Sequence, residues 1–248
     1  MSKLNTAKVT SYVEENIGSF HEKRLESLNG IKLSRILQRK NPYLFKAKGI
    51  IIASDLVRML LDAHLSSQEE TIFGEFLEGL AIFICGEIYN GRKSAVEGID
   101  LEFVRDETLY LVTIKSGPAW GNSSQLAKMK DYFTKAKKIL RTNNSRSNSK
   151  YIFVNGCCYG SESITDKGDY FKYCGQEFWS FISGIDDLYT EIIEPIGYKA
   201  QIRNDAFNLV YAKLVNKLVE QFSKEYCLPS GIIDWNKIVL FNSGRKHS

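Results

Sequence analysis

GIDLEF at Gly98–Phe103, the charged turn Arg105-Asp106-Glu107-Thr108, and LYLVTIKSGPAWGNSSQ at Leu109–Gln125 put an acid on one β-run and a lysine on the next. Two such runs separated by so few residues read as a hairpin. If Val104 pairs with Leu109 across the turn, Asp100 faces Thr113. The two-residue period of a strand then puts Leu109, Leu111, Thr113 and Lys115 on that same face. Asp100 and Lys115 therefore converge. A carboxylate able to hold a hard cation, beside an ammonium able to meet a phosphate or polarise a water, is the least apparatus for metal-dependent phosphodiester cleavage. The plainer reading is an ordinary cross-strand ion pair, worth under about 1 kcal/mol in solvent.

The residues after Lys115 favour the first reading. Ser116-Gly117-Pro118 ends the strand sharply, and Trp120, Gly121, Asn122, Ser123, Ser124 and Gln125 form a run of donors with one large aromatic leading into a helix. Such a run at a helix N-terminus suits an anion. From Lys128 to Lys150 the chain carries Lys128, Lys130, Lys135, Lys137, Lys138, Arg141, Arg146 and Lys150 against the single acid Asp131. On a helix starting near Ser123, Leu126, Met129, Phe133, Ala136 and Leu140 form the buried stripe, and Lys130, Lys137 and Arg141 line another face. That face reads either as a solvated helix surface or, with Lys128, as a phosphate-tracking surface beside the acid–lysine pair. The next segment, Thr142–Ser149, is polar and loop-like.

Composition sets the frame for these motifs. A chain of 248 residues with 44% hydrophobic content can bury a real core. The longest purely apolar run, Ile50-Ile51-Ile52-Ala53, is far too short to span a bilayer, and Met1–Asn5 lacks the apolar stretch of a signal peptide, so the expected setting is the cytoplasm, with no membrane contact. Five cysteines show no CxxC spacing and read as reduced core residues rather than as a disulfide framework or a zinc site. His21, His64 and His247 form no histidine motif, which argues against histidine-based catalysis. A net charge of +4 would not by itself imply a nucleic-acid partner, so the clustering after Lys128 carries that argument.

Along the chain, Leu4 to Leu65 reads as mostly helical, with Ser11 to Leu28 amphipathic and a break at Asn41-Pro42. A second, largely apolar helix spans Glu70 to Tyr89 and carries Glu75 and Glu78 at an i,i+3 spacing. Glu78 is flanked by Leu77, Leu80, Ala81 and Ile82, where an unpaired carboxylate is expensive; a nearby cation, or a Lys or Arg at the core edge, would remove that cost. Tyr151 to Gly160 reads as a buried central strand. Thr165 to Tyr170 reads as a loop on which Asp166, Lys167 and Asp169 either read base edges or are simply exposed. Gln176 to Gly197 and Asn204 to Lys224 read as helical, and Asp234-Trp235 opens a last short helix. Without a repeat or a clear linker, residues 1–248 read as a single domain: a mostly helical N-terminal part (1–65), a core (70–160), and a loop with C-terminal helices (161–248).

The succession helix, hairpin with Asp then Lys, helix, strand resembles the PD-(D/E)XK nuclease fold, and more narrowly the type II restriction endonucleases. The specific resemblance is to the PmeII-type family, carried by NPYLFKAKG at Asn41–Gly49, LDAHLSSQEETIFGEFLEGLAIFI at Leu61–Ile84, EGIDLEF, TIKSGPAWGNSSQ, VNGCCYG at Val154–Gly160, DKGDYFKYCGQEFW at Asp166–Trp179 and FNSG at Phe241–Gly244. It implies an α/β, restriction-endonuclease-like core in which helices flank a mixed central β-sheet, preceded by a helical N-terminal region. It further implies a homodimer that binds Mg²⁺, cuts both strands of double-stranded DNA at a short palindromic or interrupted-palindromic site, and leaves 5′-phosphates. A cognate DNA methyltransferase would protect the host genome.

The chain departs from that family's pattern at Thr113-Ile114-Lys115, where a hydroxyl stands in place of the second carboxylate. The resemblance then assigns Asp100 as central metal ligand and Glu78 as recruited second carboxylate, with Gln125 and Glu97 as weaker candidates. Lys115 would orient or activate the attacking water and neutralise the scissile phosphate, while Thr113 would hold a water in the metal's shell. Two other readings fit the same residues: a structure-specific repair nuclease of this fold, and a non-catalytic DNA-binding module, which the Thr113 departure favours.

Overall fold

Val104 pairs with Leu109, and the hairpin has the register expected from the sequence: Leu101 opposite Val112, Phe103 opposite Tyr110, and Arg105 opposite Thr108. The computed structural model describes residues 4–143 and 150–245, the side chains of 141–143 excepted. Strands β2 (Leu101–Arg105) and β3 (Thr108–Lys115) are joined by Asp106 and Glu107, both at positive φ (50° and 59°). Two successive positive-φ residues make the type I′ turn whose twist matches that of the strands it connects.

The hairpin is the antiparallel half of a five-stranded mixed sheet of order β1-β2-β3-β4-β5. β1 (Arg92–Lys93) pairs antiparallel with β2, and β4 (Lys150–Cys157) and β5 (Phe171–Cys174) continue in parallel from β3. The parallel step requires a crossover, supplied by α5 (Ser123–Asn143). Met129, Phe133 and Ala136 on α5 are buried against Leu111, Phe153 and Ile99, with Leu126 and Leu140 partly buried beside them, which is the stripe expected from the sequence. On the Phe103 side of the sheet an aromatic cluster forms: Phe103 stacks on Tyr89 and Tyr110, and Phe181 packs against Phe103, Tyr110 and Tyr173. Arg105 lies over three of these rings and donates to the Phe181 carbonyl at 2.9 Å.

Two compact units make up the chain. The sheet belongs to the first, Met1–Gly18 with Phe73–Tyr198; the second is Ser19–Ile72 with Lys199–Ser248. The second unit is helical. Its core gathers Leu33, Ile36 and Leu37 of α2 (Leu33–Arg39), Phe45 of α3 (Pro42–Ala47), Leu56, Leu60 and Leu61 of α4 (Ala53–Tyr89), Leu218 and Phe222 of α9 (Ala200–Tyr226), and Ile238 of α10 (Trp235–Ser243). The chain also contains α1 (Thr6–Glu26), which opens the helical N-terminal region. Asn41 caps α3 by accepting from the amides of Tyr43 and Leu44, with Pro42 as its first residue, so the break expected at Asn41-Pro42 is a helix start. Asp234 caps α10 by accepting from the Lys237 amide at 3.0 Å.

Two local expectations are corrected, and one strand was not foreseen. The helix expected from Glu70 begins at Ala53 and runs through without interruption. In its polar middle the Ser67 and Thr71 hydroxyls donate back to the carbonyls of Ala63 and Ser67, at 3.3 and 3.1 Å, so these side chains are satisfied within the helix. Residues 176–197 are not one helix: α6 (Gln176–Ser183) ends where Gly184 takes φ 71°, and α7 (Leu188–Glu191) and α8 (Ile193–Ile196) are single turns. The four residues of β5, with Lys172 among them, are too short and too mixed a run to show as a strand in the sequence. The cysteine expectation matches: Cys85, Cys157, Cys158 and Cys174 are free and buried, and Cys227 is free and partly buried.

Candidate active site

Asp100 lies one residue before β2, and its carboxylate is held by the chain itself. Oδ2 accepts from the Ile114 amide at 2.6 Å, while the Asp100 amide donates to the Val112 carbonyl at 2.9 Å. Gly98 sets this approach. Its φ is +77°, and a Cβ there would lie 2.3 Å from the Tyr132 ring, so only glycine fits.

Lys115 Nζ reaches Asp100 Oδ2 at 3.7 Å and lies 5.4 Å from the centroid of the Trp120 ring. The Lys115 side chain is one-third exposed, so it faces both the carboxylate and solvent. Helix α4 passes the end of β3 closely: a Cβ on Gly74 would meet the Ser116 hydroxyl at 2.7 Å. One turn further along α4, Glu78 contacts Lys93 of β1 at 3.5 Å and lines a cavity of about 620 Å³ together with Glu75 and Tyr12. Burial pushes the Glu78 carboxyl above its ordinary value, and the negative charge of Asp100 pushes it further, while Lys93 and Lys115 oppose the rise. The same surroundings hold the buried Cys158 thiol up at about 12, chiefly through burial, with Glu78 adding to the shift. The structure thus brings Asp100, Lys115 and Glu78 into one electrostatic neighbourhood. Among the described residues no group of three His, Cys, Asp or Glu side chains is arranged to hold a metal.

Thr113 is placed differently from its neighbours. It is 2% exposed; its hydroxyl donates to Met129 Sδ at 3.6 Å and accepts from the Asn155 amide nitrogen at 3.1 Å. Asn155 Oδ1 in turn accepts from Trp120 Nε1 at 3.2 Å. Asn155 therefore links Trp120 to Thr113, a connection that sequence reasoning missed. Its signal was an amide inside the apolar run from Tyr151, a residue buried only when its hydrogen bonds are met.

The donor run after Pro118 is largely committed to capping α5. Asn122 Oδ1 accepts from the Gln125 amide at 3.1 Å and from the Ser124 hydroxyl at 2.7 Å, and Gln125 Oε1 accepts from the Asn122 amide at 2.9 Å. This reciprocal pair is a capping box, and it was legible as Asn-x-x-Gln. Ser123 is exposed beside it, and Trp120 is half-buried, with its indole N–H already used by Asn155. Glu97 is exposed.

On α5, Lys128, Lys130 and Lys137 are exposed, with Lys128 over the Tyr132 ring at 5.6 Å. The expectations for the Arg141 side chain and for the loop through Ser149 lie outside the described residues. On the 165–170 loop, Asp166 Oδ1 accepts from the Gly168 amide at 2.8 Å, Lys167 pairs with Glu162 at 3.2 Å, and Asp169 reaches Lys130 at 3.4 Å.

Glu162 ties this loop toward the site. It also pairs with Lys172 at 3.1 Å, and Lys172 donates to the Pro118 carbonyl at 3.1 Å. Lys172, with help from the Ile164 amide and Lys167, holds the Glu162 carboxyl down at about 2 against an ordinary 4.5. A depressed carboxyl contributes stability that is present above the ordinary value and lost as pH falls through the folded one. Glu162→Gln is therefore expected to lower the melting temperature at neutral pH, with the difference from wild type closing between about pH 4.5 and about 2. Melting curves across that range check it; a deficit unchanged by pH would contradict the assignment.

A mixed sheet flanked by helices, with an acid at the start of one strand and a lysine at the end of its antiparallel neighbour, defines a restriction-endonuclease-like α/β fold. The sequence comparison agrees in kind. Residues 7–204 match the family model described as type II restriction endonuclease EcoO109I, and the chain belongs to that family. It is therefore a restriction endonuclease, a hydrolase whose substrate is DNA. A comparison with curated proteins found no match. Among the described residues no helix is long and apolar enough to cross a membrane.

Proposed function

We propose that the chain is a PD-(D/E)XK-type enzyme, with the narrower PmeII-type likeness read from its motifs. It uses Mg²⁺ to cut both strands of double-stranded DNA at a short palindromic or interrupted-palindromic site. The observation that carries this reading is the approach of Lys115 to Asp100 at 3.7 Å, with Glu78 close enough for its carboxyl to be raised by the charge of Asp100.

The donor set fits the ion. Besides burial, Asp100 raises the Glu78 carboxyl by like-charge repulsion, and these two carboxylates would hold a divalent cation, whose charge would offset that repulsion. Mg²⁺ is commonly bound by one or two carboxylates plus substrate phosphates and waters rather than by an all-protein cage, so a third protein ligand is not required. When bound, it supplies charge stabilisation and polarisation at the scissile phosphate.

The residues of the chain do the rest. Asp100 presents its free oxygen while the Ile114 amide fixes the other. Glu78 provides the second oxygen donor from α4, in place of the carboxylate missing at Thr113. Lys115 orients the attacking water and neutralises the phosphate, and the bond to the 3′ oxygen breaks to leave a 5′-phosphate. Thr113, with its hydroxyl turned toward Met129 and Asn155, acts by fixing β3 against α5 and β4. Lys128, Lys130 and Lys137 extend the positive surface along α5. The enzyme works as a homodimer, because a two-fold protein matches a two-fold site, and a cognate methyltransferase protects the host's own sites.

Digestion of plasmid DNA with and without Mg²⁺ tests the proposal. Discrete, reproducible bands that appear only with Mg²⁺ are expected. Intact duplex beside cleaved branched or flapped DNA would favour a structure-specific nuclease. A salt-sensitive gel shift with no cutting at any Mg²⁺ concentration would favour a non-catalytic binding module.

A further inference from the structure

Away from the acid–lysine pair, a cavity of about 390 Å³ opens between α5, β4 and the 165–171 loop. That volume lies within the range of small-ligand sites. Lys130 and Lys137 line it from one face of α5, Tyr151 and Phe153 from β4, and Asp169 and Tyr170 from the loop. Phe153 pairs with Leu111 and Tyr151 with Leu109, four and six residues back along β3 from Lys115. At about 3.3 Å per residue the cavity is roughly 13–20 Å from the lysine along the strand. At about 3.4 Å per base-pair step this corresponds to roughly four to six base pairs of duplex.

The charges at the mouth are arranged unevenly. Lys137 pairs with no carboxylate among the described residues, whereas Lys130 is tied to Asp169 at 3.4 Å. That pair is open to solvent, its side chains 49% and 78% exposed, so it is weak and easily exchanged. The loop presenting Asp169 is shaped by its own hydrogen bonds: the Gly168 amide to Asp166 at 2.8 Å and the Lys167 amide to the Tyr170 carbonyl at 3.0 Å. Asp169 is thus held at the mouth by the backbone as well as by Lys130.

We propose that this cavity is a second phosphate station for the DNA strand, gated by the Lys130–Asp169 ion pair: an incoming backbone phosphate displaces the Asp169 carboxylate from Lys130 and is held jointly by Lys130 and Lys137. The inference rests on the DNA-cleaving reading above and adds a contact remote from the scissile phosphate. It gives Asp169 an unusual sign, because an acid that competes with the phosphate opposes binding. A base-reading acid would favour it.

The experiment measures equilibrium binding of a short random-sequence duplex without Mg²⁺, over a range of salt, for the wild-type chain, Asp169→Asn and Lys137→Gln. All three side chains concerned, Lys130, Lys137 and Asp169, are exposed, and melting curves confirm that the variants fold. Asp169→Asn is expected to tighten binding about threefold, and Lys137→Gln to weaken it by at least as much with a shallower salt dependence. Weaker binding by Asp169→Asn would overturn the gate in favour of a base reader. Unchanged binding in both variants would reduce the pair to a loop clamp and overturn the station. A wild-type chain that neither binds nor cuts DNA would fail the underlying reading, an outcome separate from both.

Discussion

Lys115→Ala and Asp100→Ala should each reduce DNA cleavage by about a thousandfold or more, with the melting temperature nearly unchanged for Lys115→Ala and lowered for Asp100→Ala, which also strips the Ile114 amide of its acceptor. The two side chains meet at the end of β3 with only a long, partly exposed ion pair between them, at 3.7 Å. Such a pair contributes under about 1 kcal/mol to folding, so the loss of Lys115 is expected to show in the chemistry and not in stability, whereas the loss of Asp100 also costs the hydrogen bond from the Ile114 amide, about 1–3 kcal/mol. The size of the kinetic effect reflects the roles of the two groups: removal of a side chain that positions water or stabilises developing charge commonly costs a factor of about 10²–10⁴. Cleavage at wild-type rates by either purified variant would remove the site from the mechanism. The two single variants and their double should also be far from additive, because the residues act on one phosphate.

The second large effect concerns Glu78. Its carboxyl is raised by burial and then by Asp100, so ionisation at neutral pH works against the fold. For an acid with a raised folded value, the stability it contributes is full at low pH and is lost as pH rises through that value. Glu78→Gln should therefore match or exceed wild-type stability at neutral pH without Mg²⁺, while losing at least about a hundredfold in cleavage. The separating measurement is thermal: Mg²⁺ should raise the melting temperature of wild type and not of Glu78→Gln, since only a protein that binds the ion is stabilised by it. Equal Mg²⁺ stabilisation of both would place the second carboxylate elsewhere, with Glu75, which lines the same cavity, the next residue to substitute.

The hairpin was legible because it depends on local rules. Strand alternation and a short charged turn are enough to pair Val104 with Leu109, and that pairing brings Asp100 and Lys115 to the same end of the hairpin. Helix α5 was legible from its apolar stripe, and its capping box could have been read by the same local rules. Glu78 was reached by a cost argument, an acid among apolar neighbours, rather than by geometry.

Other features depended on tertiary pairing. β5 exists because β4 offers it a parallel edge, and nothing in Phe171–Cys174 alone forces a strand. The hydrogen-bonded line from Trp120 through Asn155 to Thr113 joins residues that are distant in sequence. That line ties Thr113 into the layer under α5, on the face it shares with Leu111; the face follows from spacing on β3, but the partners Met129 and Asn155 do not. The ion pair between Lys130 and Asp169, separated by 39 positions, is of the same kind.

The most direct measurement is digestion of a fully sequenced viral DNA by wild type and by Lys115→Ala, with and without Mg²⁺, and then sequencing of the fragment ends. The account predicts ends that share one short, two-fold-symmetric motif, carry 5′-phosphates, and arise only from wild type with Mg²⁺ present. Intact DNA under that condition, or the same ends from Lys115→Ala, would contradict it.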